Sequence, residues 1–310
     1  MNNNANAIIG QAIRQLRESS RYTQEKLAEK AGITYQYLSS LENGKENFTI
    51  GILEAIAQAF GLRLDALVER SYADHRPVPM VKVESFVSDV VLPPNLTQVH
   101  VQAALNETHK IIRLVNSALL KSVARPLPAY IQGNNFSGIV SNILTDSFSR
   151  LTPYKHHHGQ KYPDLVCKAA NGDVVDGLEV KSTIQQGKGG ESHNGHSGWH
   201  VIACFDVDKD NGDVRFIHVM FADLVGHDKR NADWKYVGSK VNRKTGSQRT
   251  ETYNATSRGT AKLRHGTVYL DQAAVDISRW RIDPSIPPPP YSPFRPKCKV
   301  KRIKKKAKTA

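Results

Sequence analysis

The sequence predicts a multidomain chain: an all-α domain at the N-terminal end, then a larger α/β domain with a central mixed β-sheet flanked by helices. Three observations carry this. Through residues 8–70, apolar side chains recur at helical spacing in short segments closed by Gly or Asn-Gly. Beyond about residue 160 the apolar period shortens towards two, the signature of strands. The chain has 310 residues, enough for two domains with their own cores.

Along the chain, Ile9, Ile13 and Leu16 mark the first helix. Thr23 caps a second, whose stripe is Leu27, Ala28 and Ala31, with Gly32 ending it. Thr34 caps a third, with Leu38 and Leu41 inward and Asn43-Gly44 as the stop. Leu53, Ile56, Ala57 and Phe60 form a fourth stripe, and Asp65 to Arg70 reads as a fifth turn. Residues 71–94 read as a linker with a short strand near Val81–Val83. A long helix is expected over 96–123, with Val99, Ala103, Ile111, Leu114 and Leu119 inward. Another is expected over 136–151, with Ile139, Ile143, Phe148 and Leu151 inward. Residues 162–169 and 174–181 read as strands joined at Asn171-Gly172, a strong hairpin turn. Residues 199–207, 214–219 and 267–270 are further strands. Residues 226–266 read as a polar, basic, glycine-punctuated connection, and residues 284–310 as a proline-rich and basic tail.

Composition narrows the partners. The net charge of +14 favours a polyanion, nucleic acid or an acidic membrane. The sequence offers no run of 18 apolar residues, no signal peptide and no lipidation signal, so a cytoplasmic, membrane-free protein is expected. Cys167, Cys204 and Cys298 lie far apart with no CxxC pair, which argues against a disulfide framework or a cysteine zinc site.

Residues Thr23 to Lys45, TQEKLAEKAGITYQYLSSLENGK, resemble the Cro/cI-type (XRE) helix-turn-helix family at nearly every defining position. Ala28 is small where the two helices cross, and Gly32 takes the turn. The resemblance implies that the second helix enters the major groove with Tyr35, Gln36 and Ser40 as base readers. It places Gln24, Asn43 and Lys45 at phosphates and puts Thr34 at the helix start among the DNA-contacting residues.

A second motif follows. Tyr162-Pro163-Asp164 precedes the hairpin, and Gly177-Leu178-Glu179-Val180-Lys181 lies on its far strand. On a strand, residues two apart share a face, so Glu179 and Lys181 point together. The pairing is similar to that of the PD-(D/E)xK nucleases, which include many type II restriction endonucleases. The resemblance makes residues 95–283 an endonuclease domain. Its catalytic residues would be Asp164, Glu179 and Lys181, with Mg2+ held by Asp164, Glu179 and the backbone oxygen of Val180. Hydrolysis would leave 5′-phosphate and 3′-hydroxyl ends. Asp146 is the nearest further acid on the preceding helix, whereas Asp176 has the opposite face parity and would need a bulge to join.

His193, His196 and His200 are spaced HxxHxxxH, but no helix surrounds them to support a zinc site. In the basic segment 229–264, Arg243, Lys244 and Arg249 are expected on DNA, with Tyr236 and Tyr253 interleaved. The leading expectation is a Mg2+-dependent, sequence-specific double-stranded DNA endonuclease of a restriction-modification system, a homodimer because a palindrome needs two active sites. The alternative is a helix-turn-helix transcriptional repressor with a non-catalytic C-terminal domain. A third reading is a nuclease acting on modified DNA or in repair.

Overall fold

The computed structural model describes residues 5–72, 78–157, 162–184, 191–192, 195–238, 253–277, 280 and 283–294. The chain divides into two compact units. The first comprises Met1–Val81, Gln102–Ser147 and Asp206–Arg215, and the second Lys82–Val101, Phe148–Phe205 and Phe216–Ala310.

Threonine starts three of the first helices by the same chemistry. Helices α1 (Ala5–Ser19), α2 (Gln24–Ala31), α3 (Tyr35–Glu42), α4 (Ile50–Ala59) and α5 (Leu64–Tyr72) follow in order. The hydroxyl oxygens of Thr23, Thr34 and Thr49 accept from Lys26, Tyr37 and Ile52 N–H, satisfying a backbone donor at the head of α2, α3 and α4. Gly32 ends α2 at φ 65°, a left-handed conformation that costs glycine little. Ile9, Ile13, Leu27, Leu38, Leu41, Ile56 and Leu67 meet in one core. At Gly10 the backbone of α1 comes so close to α3 that a Cβ would lie 2.1 Å from Leu41 O.

Two long helices follow, α6 (Gln98–Val123) and α7 (Gly133–Leu151). The phase of α6 differs from the sequence expectation. Val99 and Leu114 are 72% and 60% exposed, and Ala103, Ile111 and Leu119 are only partly buried. The buried face carries Val101, Ala104, Leu105, Ile112 and Leu120 together with Thr108, His109, Arg113, Asn116 and Ser117. The polar groups have partners. Arg113 Nε donates to Asp213 at 2.6 Å, and the Asn116 amide donates to Gly212 O and accepts from Leu127 N–H, both at 2.8 Å. On α7 the buried residues are Phe136, Val140, Leu144 and Phe148. Leu151, expected inward, is 40% exposed at the helix end, and Ile139 and Ile143 are partly buried.

The second unit is built on a mixed sheet. Its strand order is β1 (Lys155–His156), β2 (Leu165–Lys168), β3 (Val174–Thr183), β5 (Gly198–Val207), β6 (Val214–Leu224), β9 (Thr267–Leu270). β1–β2, β2–β3 and β6–β9 are antiparallel, and β3–β5 is parallel. The β2–β3 hairpin turns at Asn171-Gly172 as expected, with Gly172 at φ 89° and Ala169 N–H bonded to Asp173 O at 2.9 Å. A smaller sheet has the order β4 (Glu191–Ser192), β8 (Tyr253–Ala255), β7 (Trp234–Tyr236), and helix α8 spans Ser257–His265.

Two further expectations are corrected. Residues 83–85 form a 3-10 turn rather than a strand, and Phe86 makes an isolated bridge to Tyr269. The connection over 226–266 is not structureless, because it holds β7, β8 and α8. Thr256 caps α8, and Gly259 packs so tightly on Asp233 that a Cβ would lie 2.4 Å from its carbonyl oxygen.

Candidate functional site

Two sets of side chains carry chemistry. The first is on α2 and α3. Tyr35 and Gln36, in the first turn of α3, are exposed, with Tyr35 at 48%. Ser40 is half-buried, and Asn43 and Lys45 are exposed beyond the helix. The Thr34 oxygen is used as the cap of α3, which leaves its hydroxyl hydrogen to donate outward. Asn43 Nδ2 donates to Ser39 O at 2.7 Å. Gln24, expected at a phosphate, donates to Glu42 Oε2 at 2.9 Å.

Glu42 and Arg17 are functional neighbours that the sequence reading missed. The Glu42 side chain is 1% exposed and takes Arg17 Nε at 2.6 Å and Nη2 at 2.9 Å. This fork ties α1 to the end of α3 and, through Gln24, to the start of α2, so the exposed face of α3 is fixed by a charge pair as well as by the apolar core. The available signal was an acid on the last turn of a short helix whose other residues are uncharged, YQYLSSLE.

The second set lies at the start of β2 and the middle of β3. Antiparallel pairing sets Leu165 opposite Leu178, so Asp164 enters beside Glu179 and Val180. Asp164 Oδ2 accepts from Val180 N–H at 2.8 Å, and Asp164 N–H donates to Glu179 Oε2 at 3.3 Å. Lys181 Nζ stands 2.6 Å from Glu179 Oε1. The structure thus brings Asp164, Glu179 and Lys181 together, with Val180 between them. Burial, and then the Glu179 charge, raise the Asp164 carboxyl above the ordinary carboxylate range. Asp176 pairs with Cys167, and the β2–β3 bulge falls between it and the hairpin turn, so its face relative to Glu179 is unchanged. Asp146 is half-buried on α7, within the first unit.

An aromatic wall adjoins this acidic pair. In the β3–β5 register His200 lies beside Glu179. His200 is fully buried, its Nδ1 donating to Gly198 O at 2.8 Å and its ring packed on Trp234 at 5.2 Å and Tyr162 at 6.1 Å. Burial pushes it down to about 4, so it is neutral near pH 7 and its Nε2 carries a lone pair. Tyr162 OH donates to Ser197 O at 2.5 Å, and its ring meets His196 at 4.2 Å. His193 lies outside the described residues. Among the described residues no group of three His, Cys, Asp or Glu side chains is arranged to hold a metal. Asp164, Glu179 and the Val180 carbonyl nevertheless offer hard oxygens suited to Mg2+, which commonly takes one or two carboxylates and completes its shell with water and substrate phosphate.

Arg243, Lys244 and Arg249 also lie outside the described residues. Of the described basic residues, Arg258 and Lys262 pair with the buried Asp233, and Arg264 stacks over Trp280 at 4.9 Å. These three have partners within the fold, which their sequence context does not reveal.

Comparison with known proteins gives one consistent result. Residues 13–67 match the family described as Helix-turn-helix. An immunity repressor protein of Bacillus phage phi105 is 38% identical over 60 residues, 19% of this chain and 42% of the relative. The control protein C.BamHI of Bacillus amyloliquefaciens is 36% identical over 70 residues, 22% of this chain and 86% of its own length. Among solved structures, the restriction-modification controller protein C.AhdI of Aeromonas hydrophila is 27% identical and covers 20% of this chain and 94% of its own, with a TM-score of 0.20. The chain spans less than half the length of the phage repressor and most of the length of the control protein. Among the described residues, no helix is long and apolar enough to cross a membrane.

Proposed function

The chain belongs, through residues 13–67, to the helix-turn-helix family, and from that premise we propose that it is a sequence-specific DNA-binding regulator of the repressor or controller kind. One observation carries this: α3 is capped at its head, pinned at its tail by Glu42, and leaves Tyr35 and Gln36 exposed. A helix so held reads bases with its first residues, and Gln36 has the two-point donor and acceptor that match adenine. A homodimer on a two-fold symmetric operator in the cytoplasm is the economical form, because one short helix reads too few base pairs to be selective alone. Selection of bound duplexes from a random pool tests it. An enriched inverted repeat, bound less well by Gln36→Ala, is expected, and a pool that stays random sinks the reading.

A second reading, a type II restriction-like endonuclease of the PD-(D/E)xK kind, is favoured by the joined Asp164, Glu179 and Lys181. Asp164 and Glu179, with the Val180 carbonyl, would hold Mg2+. When bound, the ion supplies charge neutralisation at the phosphate and an acidified water. The Asp164 carboxylate is steadied by Val180 N–H. Because a strand residue directs its N–H and C=O to the same neighbour, the Val180 carbonyl faces that side too. Lys181, drawn off Glu179 once the carboxylate has another cation, would orient the water and stabilise the charge growing on the phosphate. Plasmid incubated with Mg2+ decides this reading. Discrete fragments that vanish in Glu179→Ala and Lys181→Ala support it, and intact DNA over many sequences refutes it.

A further inference from the structure

Within the first unit a cleft of about 440 Å³ opens between the helix-turn-helix bundle and α6. Gln15, Ser19 and Ser20 of α1 and its end, Arg70 of α5, and Lys121 and Ser122 of α6 line it, with Ala12 and Leu16 as its apolar lining. The volume falls in the range of small-molecule sites. The lining has two cations, three hydroxyls and an amide, and no carboxylate.

Arg70 is the informative group. Its Nη2 donates to Ser122 O at 3.3 Å, while its Nε is buried and has no hydrogen-bond partner among the described residues. Burial depresses its basicity, and among the described residues no acidic neighbour offsets this. A guanidinium does not shed its proton, so an anion in the cleft would compensate the part of this desolvation that the Ser122 carbonyl does not. Guanidinium forks bind carboxylate and phosphate oxygens best of all partners.

We propose that this cleft binds a small organic or inorganic oxyanion, a phosphate or a carboxylate, with Arg70 as its anchoring charge. The hydroxyls of Ser19, Ser20 and Ser122 supply further donors, and an apolar body would rest on Ala12 and Leu16. Because the ligand would touch α1, α5 and α6 at once, it would brace the helix-turn-helix bundle against α6.

The test is calorimetric titration of the full chain with inorganic phosphate and with citrate, which separates the two oxyanion classes, against sodium chloride at matched ionic strength. Saturable one-to-one binding of at least one probe is expected. Its Kd should rise at least about tenfold in Arg70→Met, and likewise in Ser20→Asp, which sets a carboxylate on the exposed rim. If Arg70→Met does not fold, as judged by circular dichroism, Ser20→Asp decides alone. Binding no stronger than chloride overturns the proposal. So does binding that both variants keep, or binding lost in Lys45→Ala and retained in Ser20→Asp, which would put the anion on the DNA-facing side.

Discussion

Removing the Glu42 carboxylate should loosen the helix-turn-helix bundle more than any surface change in it. Glu42 and Arg17 side chains are 1% and 11% exposed, and three donors converge on the carboxylate at 2.6–2.9 Å. Glu42→Ala leaves a guanidinium and an amide facing a dry gap. Breaking a buried pair from one side costs about 3–5 kcal/mol. Arg17 keeps one bond, Nη1 to Tyr22 O at 3.2 Å, and some contact with water, so the lower end applies. About 3 kcal/mol corresponds to roughly a 150-fold rise in the opening equilibrium. Hydrogen exchange followed by mass spectrometry reads this on peptides from α1 to α5 without requiring the whole chain to unfold as one. The double variant Arg17→Met, Glu42→Leu should recover most of the loss, because neither charge is then stranded. A change in protection below threefold in Glu42→Ala would falsify the argument, as would a double variant no better than the single.

Gly10→Ala should destabilise the same bundle by about 1–3 kcal/mol, since its Cβ would lie 2.1 Å from Leu41 O and force α1 off α3. Gly51→Ala is the control, neutral or stabilising, because its Cβ would meet nothing closer than 3.9 Å; equal thermal shifts for the two would refute the packing account. Acid should weaken the fold well above the carboxylate range. Burial pushes His109 and His200 down to about 4 and His218 to about 3. Unfolded histidines near 6.5 bind protons the folded ones refuse, so stability holds above about pH 6.5 and falls as pH drops towards 4. Urea midpoints that stay level from pH 7 to pH 5 would contradict this. Gln36→Ala should weaken operator binding by about 1–3 kcal/mol and relax the preference at one base pair. Lys45→Ala should instead weaken all sequences alike and reduce the salt slope by about one. Fluorescence anisotropy at several salt concentrations separates the two patterns.

The N-terminal bundle was legible because its boundaries are written in local chemistry. Thr23, Thr34 and Gly32 act on their own backbones, and no distant residue is needed to interpret them. The hairpin that joins Asp164 to Glu179 was legible for the same reason, through Asn171-Gly172. Helix α6 was legible as a helix but not in its orientation. Its buried face carries Arg113 and Asn116, whose partners Asp213 and Gly212 lie about a hundred residues away in sequence, so the apolar period alone pointed to Val99 and Leu114. Helix α8 was hidden by its charge: Arg258 and Lys262 read as a solvated basic stretch until the buried carboxylate of Asp233 is seen between them. His200 stood out in the sequence only as one of three spaced histidines, since the parallel β3–β5 register alone sets it beside Glu179.

The contact of Lys181 with Glu179 has a bearing on how a polyanion approaches. In a chain of net charge +14, two carboxylates on one strand pair would make a negative island that pushes phosphate away. Here an ammonium 2.6 Å from one carboxylate offsets that charge and leaves the trio less negative than its two acids alone. Beyond a Debye length of about 8 Å at physiological salt, the charge that remains on the trio is largely screened. An incoming duplex would be drawn by the basic surface elsewhere and would meet these acids only after arrival. Replacing Lys181 by a neutral residue should therefore slow association as well as alter any event that follows it.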